Sequence, residues 1–279
     1  MSSSAPGSGV LYIVSTPIGN LGDITLRALE TLRSVALVLA EDTRHSRKLL
    51  SHYEIETPLA SYHEHNEARA TPLLVRRLLG GESMALITDA GTPLLSDPGS
   101  RLVAAAIEAS VDVSPIPGAS ALLAALVAAG IAAERFTFFG FLERKGRARA
   151  AEIETLRTLR HTAVVYEAPN RVAATLRDLA AAGLADRRAA VGRELTKQFE
   201  EVRRGTVDEM ARYYEDAPVR GEVVIVIEGG EMRQADEEEL RARAAELRAA
   251  GATPRDIAAA LAEGLGAPRN VAYRIAHER

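Results

Sequence analysis

The stretch Met84-Ala85-Leu86-Ile87-Thr88-Asp89-Ala90-Gly91-Thr92-Pro93-Leu94-Leu95-Ser96-Asp97-Pro98-Gly99 decides the reading of this chain. Its first five residues form a short apolar run. The rest breaks abruptly into Asp, Gly, Pro and Ser. Such a run, bounded by turn residues, is the pattern of a buried strand that hands the chain to a shaped loop. In open α/β sheets, ligands sit at the carboxyl ends of the strands. Two carboxylates, two hydroxyls and small residues in that loop suit a ligand wall. The plain alternative is a strand-to-helix connection in which Asp97 or Ser100 caps the next helix.

Outward from this loop, the first half alternates between strand and helix patterns. Strands are predicted at Val10–Ser15, Val35–Ala40, Leu59–Tyr62, Met84–Thr88 and Val111–Pro115. Helices are predicted at Ile24–Ser34, His45–His52, Ala68–Leu79 and Arg101–Ser110. A βαβα order implies a mostly parallel sheet covered on both faces. Pro115-Ile116-Pro117-Gly118 breaks the pattern and marks a linker. A second α/β unit follows, with a helix at Ala119–Ala129 and strands at Phe136–Phe141, Thr162–Tyr166, Ala189–Arg193 and Gly221–Glu228. Beyond Gly229-Gly230 come a charged helical run, Asp236–Ala250, and two helices, Arg255–Glu263 and Arg269–His277, about a Gly-containing turn. These resemble a helix-turn-helix, and a helical packing or dimerisation tail fits equally well. The expected division is therefore an α/β domain at 10–117, a second at 118–230, and a helical tail at 236–279.

Composition narrows the chemistry. The 279 residues are 47% hydrophobic, with no Cys and no Trp. Without Cys there is no disulfide framework, no thiolate metal site and no thiol nucleophile, which fits a cytoplasmic protein. The first nine residues lack the basic and apolar regions of a signal peptide. The apolar run Ala119–Ala133 is short, Ala-rich and interrupted by Gly130, so it reads as a buried helix, with no membrane span. A net charge of −4 argues against a broadly basic nucleic-acid binder. It leaves room for a local basic groove, because the field at a site depends on where charges lie.

Further polar clusters follow the predicted strands. Ser15-Thr16-Pro17-Ile18-Gly19-Asn20-Leu21-Gly22-Asp23 resembles a glycine loop before a helix, yet matches neither common nucleotide fingerprint. Glu41-Asp42-Thr43-Arg44 and His63-Glu64-His65-Asn66-Glu67 fit the polar wall of a cleft. The His pair has no evident third ligand, so no metal site is expected. Phe138–Lys145 joins aromatic residues to a basic loop, a combination that stacks bases and holds phosphates. Arg193-Glu194-Leu195-Thr196-Lys197 adds a lysine that binds phosphate or, if buried with a lowered pKa, acts as a base.

Seven segments in this order resemble the bacterial small-subunit (16S) ribosomal RNA (cytidine-2'-O)-methyltransferases of the tetrapyrrole methylase superfamily. They are Thr16–Asp23, Glu41–Arg44, Tyr62–Glu67, Asp89–Gly99, Ile116–Ser120, Tyr166–Arg171 and Arg193–Lys197. The resemblance runs from about Val10 to Glu228. It implies two α/β domains with S-adenosylmethionine bound in the cleft between them, a homodimer, and a decoding-region cytidine of the small ribosomal subunit, as free RNA or in the assembled 30S particle, as substrate. By position it nominates Pro17, Asp89, Gly91, Leu94, Ser96, Ser120, Tyr166, Ala168 and Leu195 for the donor. Asp89 is expected to orient the donor, and Asp97 to cap a helix or face the RNA.

A ribose hydroxyl is a poor nucleophile until its proton begins to leave, so a positioned base helps. The candidates are His63, Glu64, Asp97, Glu194 and Lys197. Arg44, Arg144, Lys145, Arg147 and Arg171 are the candidates for holding RNA phosphates. A tetrapyrrole methyltransferase and a non-enzymatic RNA-binding module are the competing readings.

Overall fold

The computed structural model describes residues 7–217, 219–230 and 237–278. The expected start of the tail at Asp236, and most of the nine-residue N-terminus, lie outside them. The first sheet contains β1 (Val10–Val14), β2 (Leu37–Ala40), β3 (Leu59–Ser61), β4 (Met84–Ile87) and β5 (Asp112–Ile116). Its order is β3-β2-β4-β1-β5, and every pairing is parallel. The central strands β2 and β4 are buried at every residue, as their unbroken apolar sequences require when both faces are covered.

Four helices cover the first sheet: α1 (Leu26–Ser34), α2 (Thr43–His52), α3 (Glu67–Leu79) and α4 (Ser100–Glu108). Thr25 caps α1 by accepting from the Ala28 N–H at 3.2 Å, a hydroxyl satisfying one of the donors a helix start leaves free. Two apolar cores result, one on each face. Leu11, Leu39 and Leu86 point into one, and Val38, Ala85 and Ile87 into the other. The alternation is the period-two geometry of a strand. The predicted linker begins inside β5, where Pro115 pairs with Ile13. A proline is tolerated there because β5 is an edge strand with no outer neighbour to receive an N–H.

The second sheet contains β6 (Phe136–Phe141), β7 (Thr162–Glu167), β8 (Arg188–Arg193), β9 (Glu201–Thr206) and β10 (Val223–Ile227), in the order β6-β7-β10-β8-β9. Only β6 and β7 run parallel; the other pairings are antiparallel. It packs with α5 (Ala121–Ala129), α6 (Gly146–Thr158), α7 (Val172–Leu179) and α8 (Val207–Asp216). Among these, β9, α6, α7 and α8 were not singled out by periodicity. Both sheets belong to one compact unit that ends at Glu228. The boundary expected at 117/118 falls directly after β5, where the chain passes from one sheet to the other.

A separate unit holds α9 (Glu237–Ala249), α10 (Pro254–Leu265) and α11 (Arg269–His277), with Thr158–Arg160. Its own core includes Leu240, Ile257, Leu261 and Ile275. Thr253 caps α10 with Pro254 in the first turn, and Gly266 closes it in the left-handed conformation, the usual asymmetry of helix ends. No helix among the described residues is long and apolar enough to cross a membrane.

Candidate active site

The carboxyl ends of β1, β2 and β4 meet at one edge of the first sheet, and their loops are zipped together there. The Thr16 N–H donates to the Gly91 carbonyl at 2.9 Å, and the Gly91 N–H returns the bond to the Thr16 carbonyl at 3.1 Å. The Thr16 hydroxyl donates to the Thr88 carbonyl at 3.1 Å, and Ser15 Oγ lies 3.0 Å from Thr92 Oγ1. The loop after β4 is thereby fixed against the loop after β1. Within it, Leu94 and Ser96 have φ of 76° and 70°, a conformation costing a non-glycine residue on the order of 1–3 kcal/mol and concentrated at ligand clamps. Gly99 closes the loop at φ 131°; a Cβ there would lie 2.6 Å from a Leu86 methyl and 2.7 Å from a Leu94 methyl.

The second sheet supplies the facing wall. A bulge in β6 between Phe138 and Gly140 shifts its register against β7. Gly140, at φ 66°, lets the Asp89–Gly99 loop approach, since a Cβ there would lie 3.0 Å from Ser96 Oγ. Tyr166 of β7 packs edge-on against Phe138 and Phe141, with ring centroids at 4.8 and 5.7 Å. Its hydroxyl accepts from the Leu122 N–H at 3.2 Å, and Ser120 caps the same turn of α5 by accepting from the Leu123 N–H.

A cavity of about 470 Å³ lies between these walls. Asp89, Ser96 and Asp97 line it from the first sheet, and Ser120, Tyr166 and Ala168 from the second. A neighbouring cavity of about 340 Å³ is lined by Pro17, Ser46, Lys48 and Lys197. The two share Ile18, Asp89, Ala90 and Glu222. Among the described residues no group of His, Asp and Glu is arranged to hold a metal ion.

Electrostatics separates the expected base candidates. Burial pushes the Asp97 carboxyl up to about 6; the nearby Glu41 and Asp89 carboxylates add to the rise, and a hydrogen bond with Thr88 opposes it. Glu41 is raised for the same reasons, burial first and then Asp89, while it accepts from Thr88 Oγ1 at 3.4 Å. Asp89 accepts from the Asp42 N–H at 3.2 Å. His63 faces this cluster electrostatically through Glu41, and its buried Nδ1 has no hydrogen-bond partner. Glu64 is exposed and lines neither cavity. Glu194 lies below the usual carboxylate range because Lys197 Nζ donates to it at 2.8 Å. Burial alone lowers the pKa of Lys197, but its bonds to Glu194 and Glu222 prevail and raise it. The lowered pKa that would make Lys197 a base is therefore not produced.

Several other expected residues serve the scaffold. Leu94 packs on the core of the first sheet and Leu195 is buried in that of the second; neither lines the larger cavity. Both backbone polar groups of Gly91 are taken by Thr16. Arg171 is turned inward onto Glu167 and the Leu142 carbonyl, so its guanidinium does not project as a free cation. Arg44 is exposed and paired with Asp42. Arg144, Lys145 and Arg147 are exposed. Glu41 and Phe141 were named only within longer segments, and Thr88 and Glu222 were not singled out; Glu41 and Thr88 follow strands, Phe141 ends one, and Glu222 directly precedes β10.

The sequence from 10 to 211 matches the model of the Tetrapyrrole (Corrin/Porphyrin) Methylases. The chain is 46% identical over 273 residues to the ribosomal RNA small subunit methyltransferase I of Synechocystis sp., covering 97% of this chain and 98% of the relative. It is 48% identical to that of Micromonospora olivasterospora, covering 98% and 89%. The chain belongs to the ribosomal RNA small subunit methyltransferase I family of tetrapyrrole methylases. Solved structures share the fold at low identity. Uroporphyrin III C-methyltransferase from Thermus thermophilus superposes with a TM-score of 0.58 at 19% identity, over 79% of this chain and 97% of that one. A diphthine synthase gives 0.62 at 15% identity, over 96% and 100%.

Proposed function

We propose that this chain transfers a methyl group from S-adenosylmethionine to the ribose 2'-hydroxyl of a decoding-region cytidine in small-subunit ribosomal RNA. The observation that carries the reading is identity of 46% across nearly the whole of a ribosomal RNA small subunit methyltransferase I. The larger cavity supports it, because its walls fit the donor. Asp89 and Asp97 offer negative charge to a sulfonium and an ammonium. Phe141 and Tyr166 offer apolar faces, and Ser120 and Ala121 at the start of α5 line the same space. When bound, the donor supplies an electrophilic methyl group.

The protein's own part is alignment and proton removal. Holding the attacking oxygen in line can supply much of the acceleration. The fixed loop of Thr16, Gly91 and Thr92 and the wall of Tyr166 and Ala168 provide such a frame. Of the five base candidates, Asp97 is the choice the environment favours. It lines the larger cavity, and its pKa near 6 leaves it ionised at pH 7 yet basic enough to accept a proton. Glu194 and Lys197 neutralise one another, and Glu64 faces solvent. His63 lines neither cavity and meets the cluster only electrostatically, at Glu41. Asp89, at the strand end, orients the donor. Arg144, Lys145 and Arg147 hold RNA phosphates, with Arg44 as a further contact.

The protein acts in the cytoplasm as a homodimer. Exposed Leu123 and Val127, one turn apart on α5, offer apolar surface for a second copy. Calorimetry with S-adenosylmethionine, followed by partition of labelled methyl between unmethylated small subunits and a porphyrinoid, tests the reading. Label on the subunits is expected. Label on the porphyrinoid alone would establish a small-molecule methyltransferase, and no donor binding would leave an RNA-binding module.

A further inference from the structure

Beside the donor cavity, the end of β7 and the helical segments next to it hold a connected cluster of charge. The Glu167 carboxylate, at the end of β7, is fully buried. Its Oε2 accepts from the Thr175 hydroxyl at 2.6 Å. Its Oε1 accepts from the Ala168 N–H at 2.8 Å and pairs with Arg171 Nε at 3.2 Å. Arg149, only 8% exposed, donates from Nη2 to Thr175 Oγ1 at 3.0 Å and to Asp178 at 2.7 Å.

Both guanidinium groups then converge on one acceptor. Arg149 Nη1 reaches the Glu143 carbonyl at 3.0 Å, and Arg171 Nη2 reaches the same oxygen at 3.1 Å. The circuit closes: Glu167, Thr175, Arg149, the Glu143 carbonyl, Arg171 and back to Glu167. The Glu143 N–H is also held, donating to Glu152 Oε2 at 2.8 Å. The peptide groups at Glu143 are thus pinned on both sides, directly before the exposed Arg144, Lys145 and Arg147. None of those three cations has a side-chain partner among the described residues.

Two cavities meet at this point. Glu167, Ala168 and Phe141 line the donor cavity. Phe141 and Ala168 also line an open cavity of about 590 Å³ with Arg144, Asn170 and Arg171. Breaking a buried ion pair is costly, and replacing it with apolar residues often is not. A ring of charge around a single carbonyl, with Glu167 and Arg149 buried in it, therefore calls for a reason other than stability. Its geometric effect is to fix a basic loop in register with the wall of the donor cavity.

We propose that Thr175, Glu167, Arg149 and Arg171 are positioning residues that aim the Arg144–Arg147 cations at ribosomal RNA entering beside the donor cavity. The inference rests on the reading that this loop holds RNA. Its test is a mutant cycle with full-length protein, S-adenosylmethionine and small subunits lacking the methyl group. Thr175→Val removes the link between Glu167 and Arg149 without touching either cavity. It is expected to raise KM for subunits about tenfold, with kcat and donor affinity within about twofold, and Thr175→Ser is expected to restore the parent value. Replacing Arg144, Lys145 and Arg147 together by Ala is expected to raise KM at least as much, and Thr175→Val added to that triple variant is expected to cost nothing more. Should Thr175→Val not fold, Arg149→Lys takes its place in the cycle. If the triple variant keeps the parent KM, the loop does not hold RNA and both readings fail. If the triple variant loses affinity while Thr175→Val does not, the positioning role alone is wrong. An effect of Thr175→Val that persists in full in the triple background would show that its role is only structural.

Discussion

Asp97→Asn should make the protein more stable and less active at the same time. Burial, aided by Glu41 and Asp89, carries the Asp97 pKa from 3.8 to about 6. Because the folded-state value lies above the unfolded one, the native state holds the proton more tightly than the unfolded chain does. The penalty of the ionised carboxylate is present in full above about pH 6. It is relieved as pH falls through that value, and relief is complete below 3.8. About two pKa units correspond to roughly 3 kcal/mol as an upper figure. An isosteric amide carries no charge to desolvate, so denaturant unfolding at pH 7.5 should show Asp97→Asn more stable by up to about 3 kcal/mol. The advantage should shrink between pH 6 and pH 4. Single-turnover methylation should fall by about 10²–10⁴-fold, the range for a lost general base. The parent rate should rise with pH through about 6 and then level off, and the variant should lack that limb. A variant that is destabilised at pH 7.5 would refute the environment assigned to Asp97. A variant that keeps the parent rate would refute its role as base and leave alignment alone to carry the step.

Other substitutions probe the walls. Arg171→Ala should cost on the order of 3–5 kcal/mol in unfolding free energy, because it strands the fully buried Glu167 carboxylate; a surface phosphate contact would change RNA affinity and leave stability alone. Gly99→Ala, at φ 131° and against Leu86 and Leu94, should destabilise by about 1–3 kcal/mol and weaken donor binding in calorimetry. Tyr166→Phe removes the acceptor for the Leu122 N–H and should cost about 1 kcal/mol, read as a several-fold rise in donor Kd. Lys197→Met should leave the rate of methyl transfer at saturating donor near that of the parent, since Lys197 is tied to Glu194 and Glu222; a loss of about 10²-fold or more would return it to the list of bases.

How far the sequence could be read depended on where each strand's neighbours lie. The first sheet was legible because parallel strands covered on both faces are unbroken apolar runs, and Met84–Ile87 and Leu37–Ala40 are such runs. The second sheet was less so. Glu201–Thr206 is a charged edge strand without a two-residue apolar pattern. The antiparallel insertion of β10 between β7 and β8 is a long-range pairing with no local signature. At the candidate site, Asp89, Ser120 and Tyr166 could be nominated through the family resemblance, and Asp97 as a carboxylate in the loop after a strand. Glu41 could not be joined to Asp97 without knowing that β2 and β4 are neighbours. Leu94 was nominated through the resemblance, and the packing of its side chain on the first core is set by tertiary neighbours the sequence does not show. Two departures did leave a trace. Arg171 lies four residues after Glu167, and Lys197 three after Glu194, the spacings at which opposite charges meet on a helical turn.

The proposed reaction places one methyl group on one ribose of small-subunit ribosomal RNA. It is tested most directly by incubating the protein with labelled S-adenosylmethionine and small subunits from cells lacking the modification, then digesting the RNA and mapping the label. Label is expected in a single fragment of the decoding region, on the 2'-oxygen of a cytidine, and is expected to accumulate far more slowly with Asp97→Asn. Label on a base, or spread over many fragments, or none on subunits that bind the protein together with donor, would contradict it.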